Sequence, residues 1–205
     1  MSAVTCPDPE ELLRQARTDR DQALGQLLEL YRNYLALLAR LQIGRRLQGK
    51  ADAADMVQET FLDAHRNFGR FRGTTEGEFA AWLRQILAGR LAMLVRRYLG
   101  TQRRDVRLER ELGAGLDEST RAMDKGLVAG QSTPSKQASR REQALLLADA
   151  LGELPEDYRE VIIMRHLESL TFPDVARKMG RSVDSVKNLW ARALVRLRRS
   201  LDDRQ

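Results

Sequence analysis

The chain has 205 residues, 42% of them hydrophobic, 31% charged and 5% aromatic, with a net charge of +6. That length suits one large or two small domains, and the basic balance points to a polyanionic partner without identifying it. Cys6 is the only cysteine, which excludes an internal disulfide and a thiolate zinc cluster; no apolar run reaches the ~18 residues of a membrane span, and MSAVTCPDPEELLRQ lacks a secretory pattern, so a cytoplasmic location is expected.

Leu, Ala, Arg and Glu recur throughout and favour helices. From about Asp8 to Glu111, LGQLLELYRNYLALLARLQI, AADMVQETFLDAHRNF and EFAAWLRQILAGRLAMLVRRYL repeat apolar residues at three- and four-residue spacing. Gly69, Gly73 and Gly77, with Thr74 and Thr75 between them, interrupt this rhythm and predict a loop. The stretch GAGLDESTRAMDKGLVAGQSTPSKQASR, 113–140, has four glycines and a Thr-Pro-Ser step. It reads as a flexible linker holding at most one helical turn. The helical rhythm returns from about Arg141 to Leu201, and no strand pattern or internal repeat is visible. The expected fold is therefore all-α: two small helical domains, 1–112 and 141–205, joined by the 113–140 linker.

In the helix ADAADMVQETFLDAHRNF, Ala53, Val57, Phe61, Ala64 and Phe68 form one stripe. Asp52, Asp55, Glu59 and Asp63 fall in a narrow sector almost opposite it. Such an acidic face on a basic protein is either an ordinary solvated surface or the docking face for a basic partner. Asp55, Glu59 and His65 also invite a metal reading, but His65 lies about 120° round the helix from Glu59 and no second histidine joins them. No metal or cofactor is expected. Downstream the sign reverses: Arg84 to Arg110 holds eight arginines against Asp105 and Glu109, with Phe68, Phe71, Phe79 and Trp82 around the glycine loop before it. Basic helices beside an aromatic-bearing loop suit a nucleic-acid strand, whereas Phe79 and Trp82 sit at core spacing.

The C-terminal stretch LPEDYREVIIMRHLESLTFPDVARKMGRSVDSVKNLWARALVRLRRSL carries the most specific pattern. Pro155 opens a helix with Tyr158, Val161, Ile162 and Arg165 on one face, and Glu168-Ser169-Leu170 breaks it. Thr171 and Asp174 form a capping-box pattern before a short helix, Gly180 supplies a turn, and Ser182 caps the last helix. With Ala176 at the crossing, this spacing is that of a helix-turn-helix. On the last helix Val183, Val186, Trp190, Ala193, Leu194, Leu197 and Leu201 share the buried stripe, which makes Trp190 a packing residue. Asn188, Arg192 and Arg199 project oppositely, flanked by Ser185 and Ala191, with Lys187 nearer the core edge. A basic helix so presented can read base edges in a major groove. The competing view is a bundle helix with a solvated basic face.

Together, DAADMVQETFLDAHRNFGRFRG, FAAWLRQILAGRL and the C-terminal stretch resemble regions two and four of bacterial RNA polymerase sigma factors, in the small extracytoplasmic-function (ECF) group. The resemblance covers most of the chain and implies a non-enzymatic factor that binds core polymerase and directs promoter-specific initiation. It implies docking on the beta-prime clamp helices through Asp52, Asp55, Gln58 and Glu59, with the beta subunit and promoter DNA as further partners. The loop from Phe71 to Glu78 and the following helix would melt and hold the minus-ten element, through Phe71, Arg72, Arg84, Arg90, Arg96 and Arg97. Ser182, Ser185, Lys187, Asn188, Ala191 and Arg192 would read the minus-thirty-five element. An anti-sigma factor is a family-level expectation. Many relatives carry an acid where Ala54 stands and an Asn where Gly89 stands. The alternative is a free-standing helix-turn-helix regulator, which leaves the acidic helix without a role.

Overall fold

Helix α1 (Pro9–Gln15) begins where Asp8 accepts the Glu10 N–H at 3.0 Å, with Pro9 at a position where a missing N–H costs nothing. The computed structural model describes residues 8–18, 20–47, 52–99, 106–127 and 134–203. Cys6, Arg103, Arg104, Asp105 and residues 128–133 of the expected linker lie outside them. Among the described residues every regular element is helical. The chain divides into two units, Met1–Leu116 and Asp117–Gln205.

In the first unit α2 (Arg20–Leu30), α3 (Arg32–Leu47), α4 (Ala53–Asn67) and α5 (Glu76–Leu99) follow α1, with a 3-10 turn, Phe68–Arg70, after α4. α3 packs on α4 and α5, α4 packs on α5, and α1 packs on α2. Tyr31, Leu35, Leu38, Phe79, Leu83 and Leu87 are buried at the centre. Their three- and four-residue spacings show why propensity and burial agree here.

Helix α6 (Val106–Leu127) departs from the expected linker. Leu112, Leu116, Ser119 and Met123 recur at four, three and four residues and are all buried. The four glycines of 113–140 lower helix propensity, but an amphipathic stripe with somewhere to bury overrides it. Gly115 lies close to α3: a Cβ there would lie 2.9 Å from Gln42 Oε1, the far end of a flexible side chain that can shift to admit it. The Thr-Pro-Ser step begins a further helix, α7 (Pro134–Glu153), where Pro134 occupies the first position. Residues 113–127 and 134–140 are therefore helical, and α6 straddles the division between the units.

In the second unit α8 (Glu156–Ile162) runs into a widened π turn, Ile163–Leu167. Glu168 N–H donates to Ile163 O at 3.0 Å and Leu170 N–H to Met164 O at 2.9 Å, and Ser169 takes a left-handed φ of 56°, which ends the helix at Glu168-Ser169-Leu170. In α9 (Phe172–Met179), Thr171 accepts the Asp174 N–H at 3.4 Å. The expected reciprocal bond takes another form: the Asp174 carboxylate accepts from the Thr171 hydroxyl at 2.5 Å, and this holds its pKa below the usual range. Gly180, φ 62°, donates to Arg177 O while Arg181 N–H reaches Ala176 O at 3.0 Å, closing α9 with paired carbonyl bonds. Ser182 then caps α10 (Val183–Asp202) by accepting the Ser185 N–H at 3.2 Å. α10 packs on α7, α8 and α9.

Candidate nucleic-acid interface

On α4 the apolar stripe holds the helix down: Ala53, Val57, Ala64 and Phe68 are buried, as are Met56 and Thr60. Phe61 is half-buried under the Arg32 guanidinium, 5.3 Å from its ring centre. Asp55, Gln58 and Glu59 are exposed. Asp52 serves as the N-cap, accepting the Ala54 N–H at 2.8 Å. Leu62 is 54% exposed and stands one turn beyond Gln58 and Glu59, an apolar member of this face that charge patterning alone does not pick out.

The acidic sector is not uniformly free. Arg90, on α5, donates from Nε to Asp63 Oδ2 at 2.6 Å, pairs with Asp63 through Nη2, and reaches Glu59 Oε2 at 3.2 Å. The hydrogen bond to Asp63 raises the Arg90 pKa above its ordinary value. Asp63 is thus neutralised from within and Glu59 shares its charge, so the outward negative charge concentrates at Asp52, Asp55 and Glu59. His65 faces Asp21 of α2, Nε2 to Oδ1 3.2 Å, rather than Asp55 and Glu59.

The residues expected at the minus-ten element separate into two groups. Arg72 and Arg97 are exposed. Arg90 is engaged as above, Arg96 is half-buried with Nη1 3.6 Å from Glu109, and half-buried Arg84 donates to the Tyr34 hydroxyl at 3.3 Å. Phe71 is 8% exposed and stacks on Trp82, with ring centroids 4.8 Å apart, inside a cluster with Phe68 and Phe79. Phe71 is therefore packing rather than a free stacking platform, and three of the five arginines hold helices together. Periodicity reports which face a residue occupies; which facing acid it meets is a tertiary fact. A groove lined by Asn67, Trp82, Gln85, Gly89, Met93 and Arg97 remains open, and a Cβ on Gly89 would meet nothing within 4 Å.

The loop before α5 is ordered by a capping box: Thr75 Oγ1 accepts the Glu78 N–H at 3.3 Å, and Glu78 Oε2 accepts the Thr74 and Thr75 N–H groups at 2.8 and 3.1 Å. Those bonds hold the Glu78 carboxyl below its usual pKa, Thr74 first. Gly77 belongs to α5, not to the loop.

Val186, Ala193 and Leu197 anchor α10, while Val183, Trp190, Leu194 and Leu201 are half-buried. Trp190 packs against His166 and Phe172, donating from Nε1 to His166 Nε2 at 3.1 Å. Ser182, Ser185, Lys187, Asn188, Ala191 and Arg192 are all exposed. Lys187 is more outward than its wheel position suggests, its side chain 54% exposed and 3.7 Å from Asp184. The first three turns of α10 thus present donors and a small residue on a rigid, capped helix behind a tight turn, a geometry suited to a major groove.

Residues 30–100 match the Sigma-70 region 2 family and residues 144–197 match Sigma-70, region 4. The chain is 30% identical over 194 residues to an ECF RNA polymerase sigma-E factor of Haemophilus influenzae, covering 90% of this chain and 93% of that protein. It is 32% identical over 194 residues to the ECF RNA polymerase sigma factor BldN of Streptomyces coelicolor, covering 94% of this chain and 66% of that one. A solved structure of CnrH in complex with the cytosolic domain of CnrY aligns over 97% of this chain and 100% of its own, at 22% identity and a TM-score of 0.33. The chain belongs to the sigma-70 family, in the ECF group: it is a promoter-directing initiation factor of RNA polymerase rather than a free-standing regulator.

Proposed function

We propose a division of that work among three surfaces. The exposed face of α4, with Asp52, Asp55, Gln58 and Glu59 around Leu62, docks on the beta-prime clamp helices, where a basic surface would complement the carboxylates. The loop after α4 and the groove beside Trp82, Gly89 and Arg97 take the displaced minus-ten strand. Arg72 and Arg97 contact its phosphates, and Phe71, Arg84, Arg90 and Arg96 shape the surface. On α10, Asn188 and Arg192 read base edges of the minus-thirty-five element, Lys187 and Ala191 flank them, and Ser182 and Ser185 sit at phosphates. The protein acts in the cytoplasm and carries out no catalysis of its own. The relatives CnrH and BldN have each been solved in complex, with the cytosolic domain of CnrY and with RsbN, and an anti-sigma partner for this chain follows from family membership.

The observation that carries this reading is the separation of charge: outward carboxylates on α4 in one unit, outward Asn188 and Arg192 on α10 in the other. Run-off transcription with core polymerase on a genomic promoter library tests it. Promoter-specific transcripts dependent on this protein are expected. Arg192→Ala should weaken promoter binding by about 1–3 kcal/mol; unaltered promoter-dependent transcription would show that the reading face of α10 is misassigned.

A further inference from the structure

The loop between α4 and α5 is held by a group from outside it. Its ends are fixed locally, by the 3-10 turn at Phe68–Arg70 and by the Thr75–Glu78 capping box. Its middle bends over the Phe71 ring so closely that a Cβ on Gly73 would lie 2.4 Å from Phe71 Cζ and 2.8 Å from Glu78 Cβ. At that bend the Gly73 carbonyl points away from the loop and accepts from Arg17 Nη2 at 2.5 Å. Arg17 stands in the turn after α1, 56 residues upstream, outside the residues matched to either sigma region. The support behind it is firm: Leu12, Leu13 and Ala16 are buried and α1 packs on both α2 and α5.

We propose that Arg17 is a positioning residue for promoter opening, presetting the loop at residues 71–75 in the shape that receives the displaced strand. The inference rests on the assignment of that loop to the minus-ten element. A loop free to rearrange must be ordered when the strand arrives, and a donor supplied by an already packed helix removes that cost beforehand. The bond lies at the surface, where water can replace it in the folded state, so its effect falls on loop shape rather than global stability. Arg17 is also exposed and cationic, and a direct phosphate contact is the competing explanation. Salt separates the two, because a phosphate contact contributes about one unit to the slope of log affinity against log salt, and a positioning bond contributes none.

The experiment uses full-length protein with core polymerase and a promoter duplex carrying 2-aminopurine in the minus-ten element, comparing wild type, Arg17→Ala, Arg17→Lys and Gly73→Ala. Arg17→Ala is expected to slow opening three- to tenfold with the salt slope unchanged. Arg17→Lys, which keeps the charge but not the reach, should recover only part. Amide exchange at Thr74 and Thr75 of the free protein should accelerate in Arg17→Ala, whose far-UV spectrum should match wild type. Should Arg17→Ala fail to fold, Arg17→Lys carries the comparison of opening rate, exchange and slope. A slope reduced by about one would make Arg17 a phosphate contact and overturn the inference. Normal opening in Arg17→Ala alongside impaired opening in Gly73→Ala would overturn it while leaving the loop assignment intact. Normal opening in both would remove the loop assignment itself, and the inference with it.

Discussion

Reversing single charges on α4 separates what the acidic face does for folding from what it does for docking. Asp55 is exposed, with no ion pair to it among the described residues, so Asp55→Arg should leave stability within about ±0.5 kcal/mol. Glu59→Arg differs, because Glu59 Oε2 lies 3.2 Å from Arg90 Nη1 and the two side chains are 49% and 20% exposed. An ion pair this close to solvent contributes about 0.2–1 kcal/mol, and a guanidinium facing Arg90 adds repulsion of similar size. The sum is about 1 kcal/mol, roughly a 4–8 °C fall in Tm for a unit near 100 residues. If α4 docks on a basic clamp as proposed, charge reversal costs several kcal/mol in either variant, hence a hundredfold or greater loss of affinity. Thermal melts and fluorescence-anisotropy titration with core polymerase at matched salt provide both numbers. The swap Glu59→Arg/Arg90→Glu should restore neither the melting temperature nor core binding, because it removes both bonds from Arg90 to Asp63 and sets a carboxylate against Asp63 in their place. Wild-type core affinity in Asp55→Arg would refute the docking assignment, and an unchanged Tm in Glu59→Arg would refute the ion-pair argument.

Two glycines of the first unit should respond oppositely to alanine. Gly73→Ala, with Phe71 and Glu78 in the way, should destabilise by about 1–3 kcal/mol, whereas Gly89→Ala, in an open helical position, should stabilise by about 0.5–1 kcal/mol, both read from urea midpoints. A fragment ending at 112 removes the fully buried Leu116, so it should be less stable than 1–127 by at least the roughly 2 kcal/mol of burying one leucine; equal midpoints would mean α6 contributes nothing. His166 accepts from Trp190, and burial, then Arg165, lowers its pKa below the ordinary 6.5. Its unfolded form therefore takes up a proton first, so stability is full above about 6.5 and declines as pH falls through that value. In His166→Gln the loss between pH 7.5 and 5.5 should shrink, whereas Asp174 and Glu29, also held low, act only below the usual carboxylate range.

The helix-turn-helix was legible residue by residue, because caps and turns are local chemistry: Thr171, Gly180 and Ser182 do in the structure what their side chains or backbone freedom suit them for. The buried stripes of α4 and α10 followed from periodicity for the same reason, since one helix determines its own faces. Sequence also identified Asp55 and Glu59 as outward groups on α4. It could not identify α6, where three glycines argue against a helix and only the burial of Leu112, Leu116 and Met123 argues for one. Nor could it separate Arg90, taken by Asp63 and Glu59, from exposed Arg97, or foresee Arg17 donating to a carbonyl 56 residues away. Propensity, capping and periodicity are properties of neighbours along the chain and can be read there. Which guanidinium meets which carboxylate or carbonyl depends on how helices cross, and only the folded tertiary structure decides that.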